Sequence, residues 1–570
     1  MADEIRASRE PQGWSWRDRA RALARVPAIL DPVDVGADVI EGVDPAPTAY
    51  VRDQLLISTA QGLDTEARFV VEAARQYGWV ASPVADDEKA PEAARFAPPL
   101  APSAVRLETQ GRRQSRVTRF ALQNAPESET APEPPAPGDG PSPSLEPRPL
   151  PDAWRVLQRA RRLARSILPS VGLDHVLTLD AIGANPFTSS NPFTRSNPFT
   201  SSNPFTRSNP FTRSNPAGPD SYALVGSGGR QPVAFVGARP PRRTDDPPAP
   251  GRRPRVAVLD TGCGVHDWLD DVVSCGLTVG GATVGEDDTL SDPENYPSLF
   301  GVLDGTLDPV AGHGTFIAGI VHQACPDADI LAIRVADGLG TVDEQVLIDA
   351  LEGLLAAVES GFEIDVLNLS LGYYHETPQD GQYSIDLFGV LADLRARGVA
   401  VVCSAGNDST DRPAFPAALW PYPGAEDERL GADDALAPHL AIGALNPNGA
   451  SVALFSNIGP WVHAYALGAG VLSTTPAFLG GTQAGTRDDR HGRRRETIDP
   501  DDFRGGFALW SGTSFAAPLV AGRLAARLTH ALREGGLAET GARVKALRAA
   551  SAEVLAEFEK RVAPGLRPEG

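Results

Sequence analysis

The chain has 570 residues, a formal net charge of −21 at pH 7 and four cysteines. A chain of this length exceeds one ordinary hydrophobic core, so two or three domains are expected. The acidic balance argues against nucleic acid and anionic membrane surfaces as partners, because both attract clustered positive charge. The cysteines fit neither a disulfide framework nor a zinc-binding pattern; they are Cys263, Cys275, Cys325 and Cys403.

The N-terminus carries no recognisable export signal. Residues 1–6 have charges of both signs and are not followed by the apolar stretch of a secretory signal. No segment approaches the roughly 20 apolar residues that cross a bilayer. The expected location is therefore the cytoplasm with the thiols reduced, although export by another route stays open.

The first half of the chain predicts a polar segment followed by a small domain. Residues 1–48 are polar and rich in proline, with one short helix predicted at 16–25. Within residues 49–182, segments with an apolar residue at every second position alternate with segments in which apolar residues recur every 3.6 positions. The former indicate strands and the latter indicate helices. Asp152 precedes an apolar helical pattern and is a candidate N-cap. The order βαββαβ predicts an α+β domain of ferredoxin-like shape. Its predicted strands are 51–58, 104–109, 116–123 and 176–179, and its predicted helices are 65–77 and 153–167.

Residues 183–254 are predicted to be a linker that contains a repeat. From 185 to 216 the unit Asn-Pro-Phe-Thr recurs, followed by Ser-Ser or Arg-Ser. Asn-Pro starts turns and proline removes hydrogen-bond donors, so the repeat is predicted to be an exposed insertion. A short strand pair is predicted at 222–225 and 232–236. The Pro/Arg-rich tether at 238–255 is predicted to be exposed, which makes it a candidate processing region or a bare linker.

From residue 255 short apolar runs alternate with helical segments, the pattern of a parallel sheet with helices on both faces. The sequence therefore predicts an α/β domain over 255–535, followed by a C-terminal helix and tail over 536–570. The predicted buried strands are 256–259, 330–335, 366–369, 400–404 and 440–444, and the predicted helices are 344–359, 387–397, 514–529 and 540–561.

Three segments of this α/β region supply a carboxylate, an imidazole and a hydroxyl. Asp260 ends an apolar strand, His313 is flanked by glycines, and Ser514 opens a predicted helix. A serine hydroxyl becomes a nucleophile when a base takes its proton and a carboxylate orients that base. The helix N-terminus also favours developing negative charge. Each segment alone is more often an ordinary turn or helix cap, so the prediction of a triad depends on their joint occurrence.

A fourth segment adds a hydrogen-bond donor. Asn407 ends Ser404-Ala405-Gly406-Asn407, directly after the predicted strand at 400–404. An amide side chain there can donate to a tetrahedral oxyanion beside the backbone N–H of Ser514. Removing such a donor typically costs about 3 to 4 kcal/mol of transition-state stabilisation.

Together the four segments resemble the subtilase family of serine proteases over residues 255–530. The resemblance implies an endopeptidase that hydrolyses protein substrates through an acyl-enzyme. It implies that Asp260, His313 and Ser514 form the triad, and that Asn407 and Ser514 form the oxyanion hole. It also implies substrate contacts from Ser370, Leu371, Gly372, Ala405 and Gly406, with Phe415-Pro416-Ala417 closing the specificity pocket.

The sequence departs from the family pattern near the triad. Phe316 and Leu519 stand where the family usually carries further histidines. The helix after His313 runs through residues 322–325 into Pro326 without the loop that many subtilases use to bind calcium. We therefore expect no metal site and no cofactor required for catalysis; a structural calcium ion stays open but has no support in the sequence.

The resemblance also gives the N-terminal region a role. Subtilases often carry a ferredoxin-like prodomain that assists folding and blocks the active site, so residues 49–182 are a candidate intramolecular inhibitor with self-processing. A scaffold or partner-binding domain is the alternative for this region.

Fewer sequence features indicate the substrate preference and an alternative function. Asp408 and the acidic insertion at 426–434 suggest a preference for basic residues, which would make Arg195, Arg207 and Arg213 points of self-cleavage. The rival function is a catalytically silent adaptor that recruits partners through the Asn-Pro-Phe repeats. The insertion at 483–505 is predicted to be a surface loop.

Overall fold

The fold is taken from a computed structural model. It describes residues 27–59, 63–84, 104–108, 115–125, 149–179, 222, 229–234, 236–243, 245–247, 249–288, 292–297, 307–377, 384–420, 435–478, 487–496 and 503–559. The helix predicted at 16–25, the repeat at 185–216 and the acidic insertion at 426–434 lie outside these residues.

The N-terminal part contains short strands and two amphipathic helices. In chain order its elements are β1 (Ala28–Ile29), β2 (Ala49–Ser58), α1 (Leu63–Gln76), β3 (Trp79–Pro83), β4 (Val105–Leu107), β5 (Val117–Asn124), α2 (Ala153–Ala164), β6 (Val171–Leu179) and β7 (Gln231–Pro232).

Four of these strands form an antiparallel sheet in the order β6-β2-β5-β3. Helices α1 and α2 pack against each other and against this sheet. Their apolar faces meet the strands in one core cluster that includes Val70, Trp154, Leu55 and Phe120. Asp152 caps α2 as predicted, because its extended backbone lets the carboxylate accept from the N–H of Arg155.

One predicted strand of this half lies in a different sheet. The strand near 104–109 was expected in the N-terminal sheet, but β4 runs parallel to Leu277–Val279; the edge strand β3, next to β5, is the second strand of that sheet in chain order. β3 alternates buried Trp79 and Ala81 with exposed Val80. This two-residue period extends over only a few residues directly after helix α1, so the sequence pattern does not reveal the strand. Strand β7 pairs with Phe507–Trp510, and most of its predicted partner at 222–225 lies outside the described residues.

Several described residues of the tether at 238–255 are exposed as predicted, but three of its arginines are held in ion pairs. Arg252 makes two hydrogen bonds of 2.7 Å to the fully buried carboxylate of Asp365. Arg242 binds Asp329, and Arg253 binds Asp327. Acidic side chains at the start of the sheet thus hold the arginines against the α/β region, while Arg243 keeps an exposed side chain.

The C-terminal part contains the longer helices. Its elements are β8 (Arg255–Asp260), β9 (Val273–Cys275), β10 (Leu277–Val279), β11 (Ala282–Val284), α3 (His313–Ala324), β12 (Asp329–Arg334), β13 (Thr341–Asp343), α4 (Glu344–Glu359), β14 (Val366–Leu369), β15 (Leu371–Gly372), α5 (Ile385–Ala396), β16 (Ala400–Ser404), a short 3₁₀ helix (Ala417–Leu419), β17 (His439–Leu445), β18 (Ala464–Leu467), β19 (Val471–Thr474), β20 (Arg487–Arg490), β21 (Arg493–Glu496), β22 (Phe507–Trp510), α6 (Thr513–Arg533) and α7 (Thr540–Glu559).

A parallel sheet of order β18-β17-β16-β14-β8-β12-β9 organises this part. Helices α3 and α6 pack against each other, as do α4 and α5, and α7 packs on α6 and β18. The central strands β14, β16 and β17 are buried along their whole length, which is why they appear as unbroken apolar runs. The insertion at 483–505, predicted as a loop, contains the antiparallel hairpin β20–β21.

The topology brings the polar segments to one edge. The register aligns Leu259 of β8, Leu369 of β14 and Cys403 of β16 side by side. Asp260, Ser370 and Ser404, which each come next in the chain, therefore share the carboxyl edge of the sheet, where ligands bind in open α/β folds. Within the described ranges, none of the helices combines the length and the apolarity that crossing a bilayer requires.

Candidate active site

Asp260 and His313 form a buried pair at this edge. The Nδ1 of His313 lies 2.6 Å from Oδ1 of Asp260, and neither side chain is exposed. The backbone N–H of Thr261 donates to the same carboxylate oxygen at 2.8 Å and fixes its orientation. Because the Asp260 carboxylate accepts a hydrogen bond from Nδ1, the proton of the neutral imidazole lies on Nδ1 and the lone pair on Nε2. That Nε2 atom has no hydrogen-bond partner, so it is free to accept a proton.

The start of α3 places His313 against Asp260. Gly312 precedes the helix with a φ of +80°, and the backbone at Gly314 approaches the turn so closely that a Cβ there would lie 2.1 Å from the carbonyl oxygen of Gly262. The close contact therefore requires glycine at 314, and the positive φ favours glycine at 312. The imidazole packs edge-on against Trp510 with 5.6 Å between ring centroids.

Ser514 lies in the first turn of α6, one residue after Thr513. Its side chain is fully buried, and its Oγ donates to the carbonyl of Ser370 at 3.2 Å. The hydroxyl of Ser370 in turn donates to the carbonyl of Ser514 at 3.0 Å. The serine hydroxyl therefore faces Ser370 in this arrangement, and donating to Nε2 of His313 requires a rotation of the Ser514 side chain.

Asn407 offers a free donor beside Ser514. Its Oδ1 accepts from the backbone N–H of Thr513 at 2.9 Å and from the Thr513 hydroxyl at 3.0 Å. These two contacts determine which way the amide faces, and they leave Nδ2 buried without a partner. A buried, unpaired amide nitrogen next to the N-terminus of a helix is suited to stabilising a developing negative charge.

The sequence analysis missed the side chain that supports Asn407. Asn457 accepts from the N–H groups of Asp408 and Thr410 at 3.0 and 3.2 Å, and it donates to the carbonyl of Ala405 at 2.8 Å. It therefore holds both sides of the loop that carries Asn407. Nothing in its local sequence pattern marks it, because its partners are about 50 residues away.

The sequence analysis also missed Glu294, which is almost fully buried beside the same turn. Its carboxylate accepts from the hydroxyls of Thr261 and Thr315, each at 2.5 Å, and from the backbone N–H of Gly314 at 2.9 Å. Burial raises the pKa of Glu294 to about 7 against the effect of these hydrogen bonds, and the nearby carboxylates of Asp292 and Asp260 raise it further. The only local signal is the Asp292-Pro293-Glu294 turn.

The predicted substrate-binding strand is paired with the chain itself. Strand β6 lies between β13 and β15, antiparallel to both, with Leu179 opposite Leu371 and Thr178 opposite Gly372. The N–H of Leu179 also donates to the carbonyl of Gly340 at 3.0 Å. The end of an N-terminal strand thus occupies the edge that the sequence analysis assigned to substrate.

The remaining predicted substrate contacts line the same region. Ala405 and Gly406 are buried, and the N–H of Gly406 donates to the Thr513 hydroxyl at 3.2 Å. Phe415 pairs with Tyr373, just beyond β15, through two backbone hydrogen bonds of 2.8 Å. Of the predicted site residues, Ser370 hydrogen-bonds Ser514 directly, and Gly406 and Asn407 contact Thr513 beside it.

A second buried cluster joins β6 to the α/β region. His175 contacts Glu344 through Nδ1 at 2.6 Å and Glu376 through Nε2 at 2.8 Å. Burial alone would lower the pKa of His175, but the two carboxylates raise it to about 10. His375 lies beside this group, and burial lowers its pKa to about 4.

Among the described residues, His175, His375 and Glu376 also bring three possible metal-ligand atoms within 4.8 Å of one another. Both ring nitrogens of His175 are already engaged by carboxylates, and Nδ1 of His375 accepts from the N–H of Thr377 at 3.2 Å. The geometry is that of a protonated histidine between two carboxylates.

The buried Asp260–His313 pair and the buried Ser514 lie in one α/β region organised by a parallel sheet. The model of the subtilase family matches residues 251–562, more than half of the chain. The chain therefore belongs to the subtilase family.

Two named relatives are similar in sequence. The intracellular serine protease of Paenibacillus polymyxa is 28% identical over 290 residues, which cover 48% of this chain and 66% of that protein. The thermophilic serine proteinase of Bacillus sp. (strain AK1) is 29% identical over 235 residues, 39% of this chain and 44% of that protein. The chain thus spans less than two thirds of the length of either relative.

Two solved structures are also similar. A cold-adapted subtilisin-like serine proteinase has a TM-score of 0.33 and 20% identity, covering 52% of this chain and 81% of its own. Fervidolysin from Fervidobacterium pennivorans, a keratinolytic enzyme related to subtilisin, has a TM-score of 0.40 and 17% identity, covering 87% of this chain and 56% of its own.

Proposed function

We propose that the protein is a serine endopeptidase that hydrolyses peptide bonds in protein or peptide substrates through an acyl-enzyme. Ser514 attacks the carbonyl carbon, His313 takes its proton and later gives it to the leaving amine, and Asp260 orients the imidazole. Asn407 Nδ2 and the backbone N–H of Ser514 stabilise the oxyanion. No cofactor takes part in these steps.

The observation that carries this proposal is the set of buried, unpaired atoms around Ser514. Nε2 of His313 and Nδ2 of Asn407 lack partners, although a buried polar atom without a partner is costly. Such atoms are expected where a reaction supplies the missing partner: the serine proton for His313 and the oxyanion for Asn407. No comparable observation supports the adaptor function, because the repeats on which it depends lie outside the described residues.

A fluorophosphonate probe tests the proposal. We expect it to label the wild-type protein on Ser514 and to leave Ser514→Ala unlabelled. Ser551→Ala is the matched control, since it removes a buried hydroxyl on α7 and keeps the nucleophile and its neighbours. A folded wild-type protein that stays unlabelled even after residues 1–254 are removed by proteolysis would refute the proposal.

We infer further that residues 49–182 form a ferredoxin-like domain that restrains the enzyme. The strand order β6-β2-β5-β3 with two packed helices supports the fold, and the position of β6 supports the restraint. Leu177 and Leu179 belong to the apolar cluster of the α/β region and not to the N-terminal core. A substrate that needs to pair with Leu371 and Gly372 must therefore displace this strand.

The register also predicts a processing point. Strand β6 ends at Leu179 opposite Leu371, which is next to Ser370, and the Ser370 hydroxyl contacts Ser514; the chain that follows Leu179 is therefore the candidate region for cleavage. This prediction replaces the tether, whose arginines are ion-paired, as the candidate region. N-terminal sequencing of the purified protein should give a start within the few residues after Leu179; an uncut chain with full activity would contradict both the processing and the restraint.

We also infer a cytoplasmic location, for which the relative named as an intracellular protease is the support. Fractionation of cells that express the protein with a C-terminal tag tests this inference. Recovery of the protein in the culture medium from intact cells would contradict it.

A further inference from the structure

Glu294 connects the two segments that carry Asp260 and His313. On one side its Oε1 accepts from the hydroxyl of Thr261, whose own N–H donates to Asp260. On the other side its two oxygens accept from the first turn of α3, through the Gly314 N–H, the Thr315 N–H at 3.3 Å and the Thr315 hydroxyl. One carboxylate thus contacts both segments that carry the pair: the residue after Asp260 and the two residues after His313.

The helix depends on this carboxylate for its N-terminal cap. Gly312, at the N-cap position of α3, has no side chain to accept from the first N–H groups. Those groups need an acceptor, and a carboxylate near a helix N-terminus is favoured by the helix dipole. Glu294 supplies the acceptor from a separate loop, which Asp292 holds by accepting from the N–H of Glu294 at 2.9 Å.

We propose that Glu294 is a positioning residue for proton transfer, acting through His313. It holds the start of α3 against the Asp260–Thr261 turn, and its negative charge favours the imidazolium that forms when His313 takes the serine proton. This inference rests on the proposed function, because it assigns a role within the same reaction.

The charge on Glu294 depends on pH in a useful range. Burial and the carboxylates of Asp292 and Asp260 raise its pKa to about 7, while the Thr261 and Thr315 hydroxyls oppose the rise. The thiol of Cys263 also faces it. The carboxylate is therefore mostly protonated at pH 6 and mostly ionised at pH 8, so its electrostatic contribution should increase over this interval.

Glu294→Gln separates the charge from the hydrogen bonds. The amide keeps the size and one acceptor oxygen but cannot ionise. For peptide hydrolysis by the purified full chain, we expect kcat to fall about 10- to 100-fold with KM unchanged, the range typical of groups that orient a catalytic side chain. The ratio of wild-type to variant kcat should increase from pH 6 to pH 8.

Two further variants keep the test decisive. Thr315→Val removes a hydroxyl that lowers the pKa of Glu294, so the carboxylate should stay protonated to a higher pH; its loss of kcat should also be larger at pH 8 than at pH 6, but smaller than that of Glu294→Gln. Asp365→Asn is the control: it neutralises another fully buried carboxylate, at the opposite end of the sheet, and should leave the pH dependence unchanged.

The outcomes are distinguishable. Suppose that the wild type is active and that the ratio of its kcat to the kcat of Glu294→Gln stays constant from pH 6 to pH 8. This result would overturn the inference and leave the proposed function intact. Unchanged kcat in both Glu294→Gln and Thr315→Val would do the same. A wild-type protein without any hydrolysis, cut or uncut, would refute the proposed function and the inference with it.

Discussion

Two buried polar clusters of this protein lie close together and are built in opposite ways. Around Ser514, the Nε2 of His313, the Oδ2 of Asp260 and the Nδ2 of Asn407 have no partners. In the cluster that ties β6 to the α/β region, both ring nitrogens of His175 are engaged by carboxylates. Unpaired buried atoms cost stability, whereas paired ones hold elements together. The first cluster is therefore suited to a reaction and the second to attachment.

The largest expected effect comes from Asp260→Asn. The change replaces the carboxylate by a neutral amide, whose N–H₂ can face Nδ1 of His313 and stabilise the wrong tautomer, so kcat for peptide hydrolysis should fall about 10⁴-fold. Because one Asp260 oxygen is buried and unpaired, the free energy of unfolding should stay the same or increase. Denaturant unfolding of the variant checks this point; a large loss of stability would mean that the pair serves attachment and not reaction.

His175→Ala should have the opposite profile. It leaves Glu344 and Glu376 buried without their cation, which typically costs about 3 to 5 kcal/mol. The loss should weaken the contact of β6 with the α/β region, so hydrolysis by the intact chain should increase while the triad stays complete. The control is Arg75→Ala, which breaks the exposed Arg75–Glu72 pair on α1 and should change activity less than twofold.

The pH dependence of this attachment follows from the raised pKa. The folded-state pKa of His175, about 10, lies above its ordinary value of 6.5. Its contribution to stability is therefore fully present below pH 6.5 and is lost as the pH rises through 10. An intact chain whose hydrolysis rate does not increase toward pH 10 would contradict the assignment of His175 as the attachment point.

Asn407→Ala should reduce kcat about 10²- to 10³-fold with little change in KM, because the free Nδ2 is lost. Asn407→Asp keeps the oxygen that accepts from Thr513 but removes the donor. It should lose at least as much activity, since a carboxylate repels the oxyanion. Near-normal kcat in Asn407→Asp would show that only the contact with Thr513 matters.

Glu294 should make the stability itself depend on pH. Its folded-state pKa of about 7 lies above the ordinary value of 4.5, so the folded protein retains a proton that the unfolded chain releases. The stabilisation is fully present below pH 4.5 and is lost as the pH rises through 7, by about 3 kcal/mol in total. Glu294→Gln should lack this component when unfolding is measured at pH 5 and pH 8. An equal change in the free energy of unfolding between pH 5 and pH 8 in both proteins would contradict this prediction.

The local elements of the fold were predictable, while their long-range pairing was not. The strands ending at Asp260 and Ser404 and the helices starting near Glu344 and Ser514 follow from apolar period and capping. The parallel pairing of β4 with β10 joins residues about 170 positions apart, and no local pattern encodes it.

The same distinction applies to the site. Asp260, His313, Asn407 and Ser514 each lie in a short motif, so the sequence identifies them as candidates. Glu294 and Asn457 act through partners on other elements, and polar residues in loops give no period to detect. The arginines of the tether were misjudged for a related reason, because their acidic partners are supplied by distant strand ends.

The central claim is that the chain's own β6 occupies the cleft of an otherwise complete catalytic site. The most direct test is the initial rate of hydrolysis of a tetrapeptide substrate by the intact 570-residue chain, with and without Leu179→Asp. Leu179 is buried against the α/β region, so a carboxylate there should expel the strand. We predict at least a tenfold higher rate in the variant, abolished by adding Ser514→Ala. Equal rates in the intact wild type and Leu179→Asp would contradict the account.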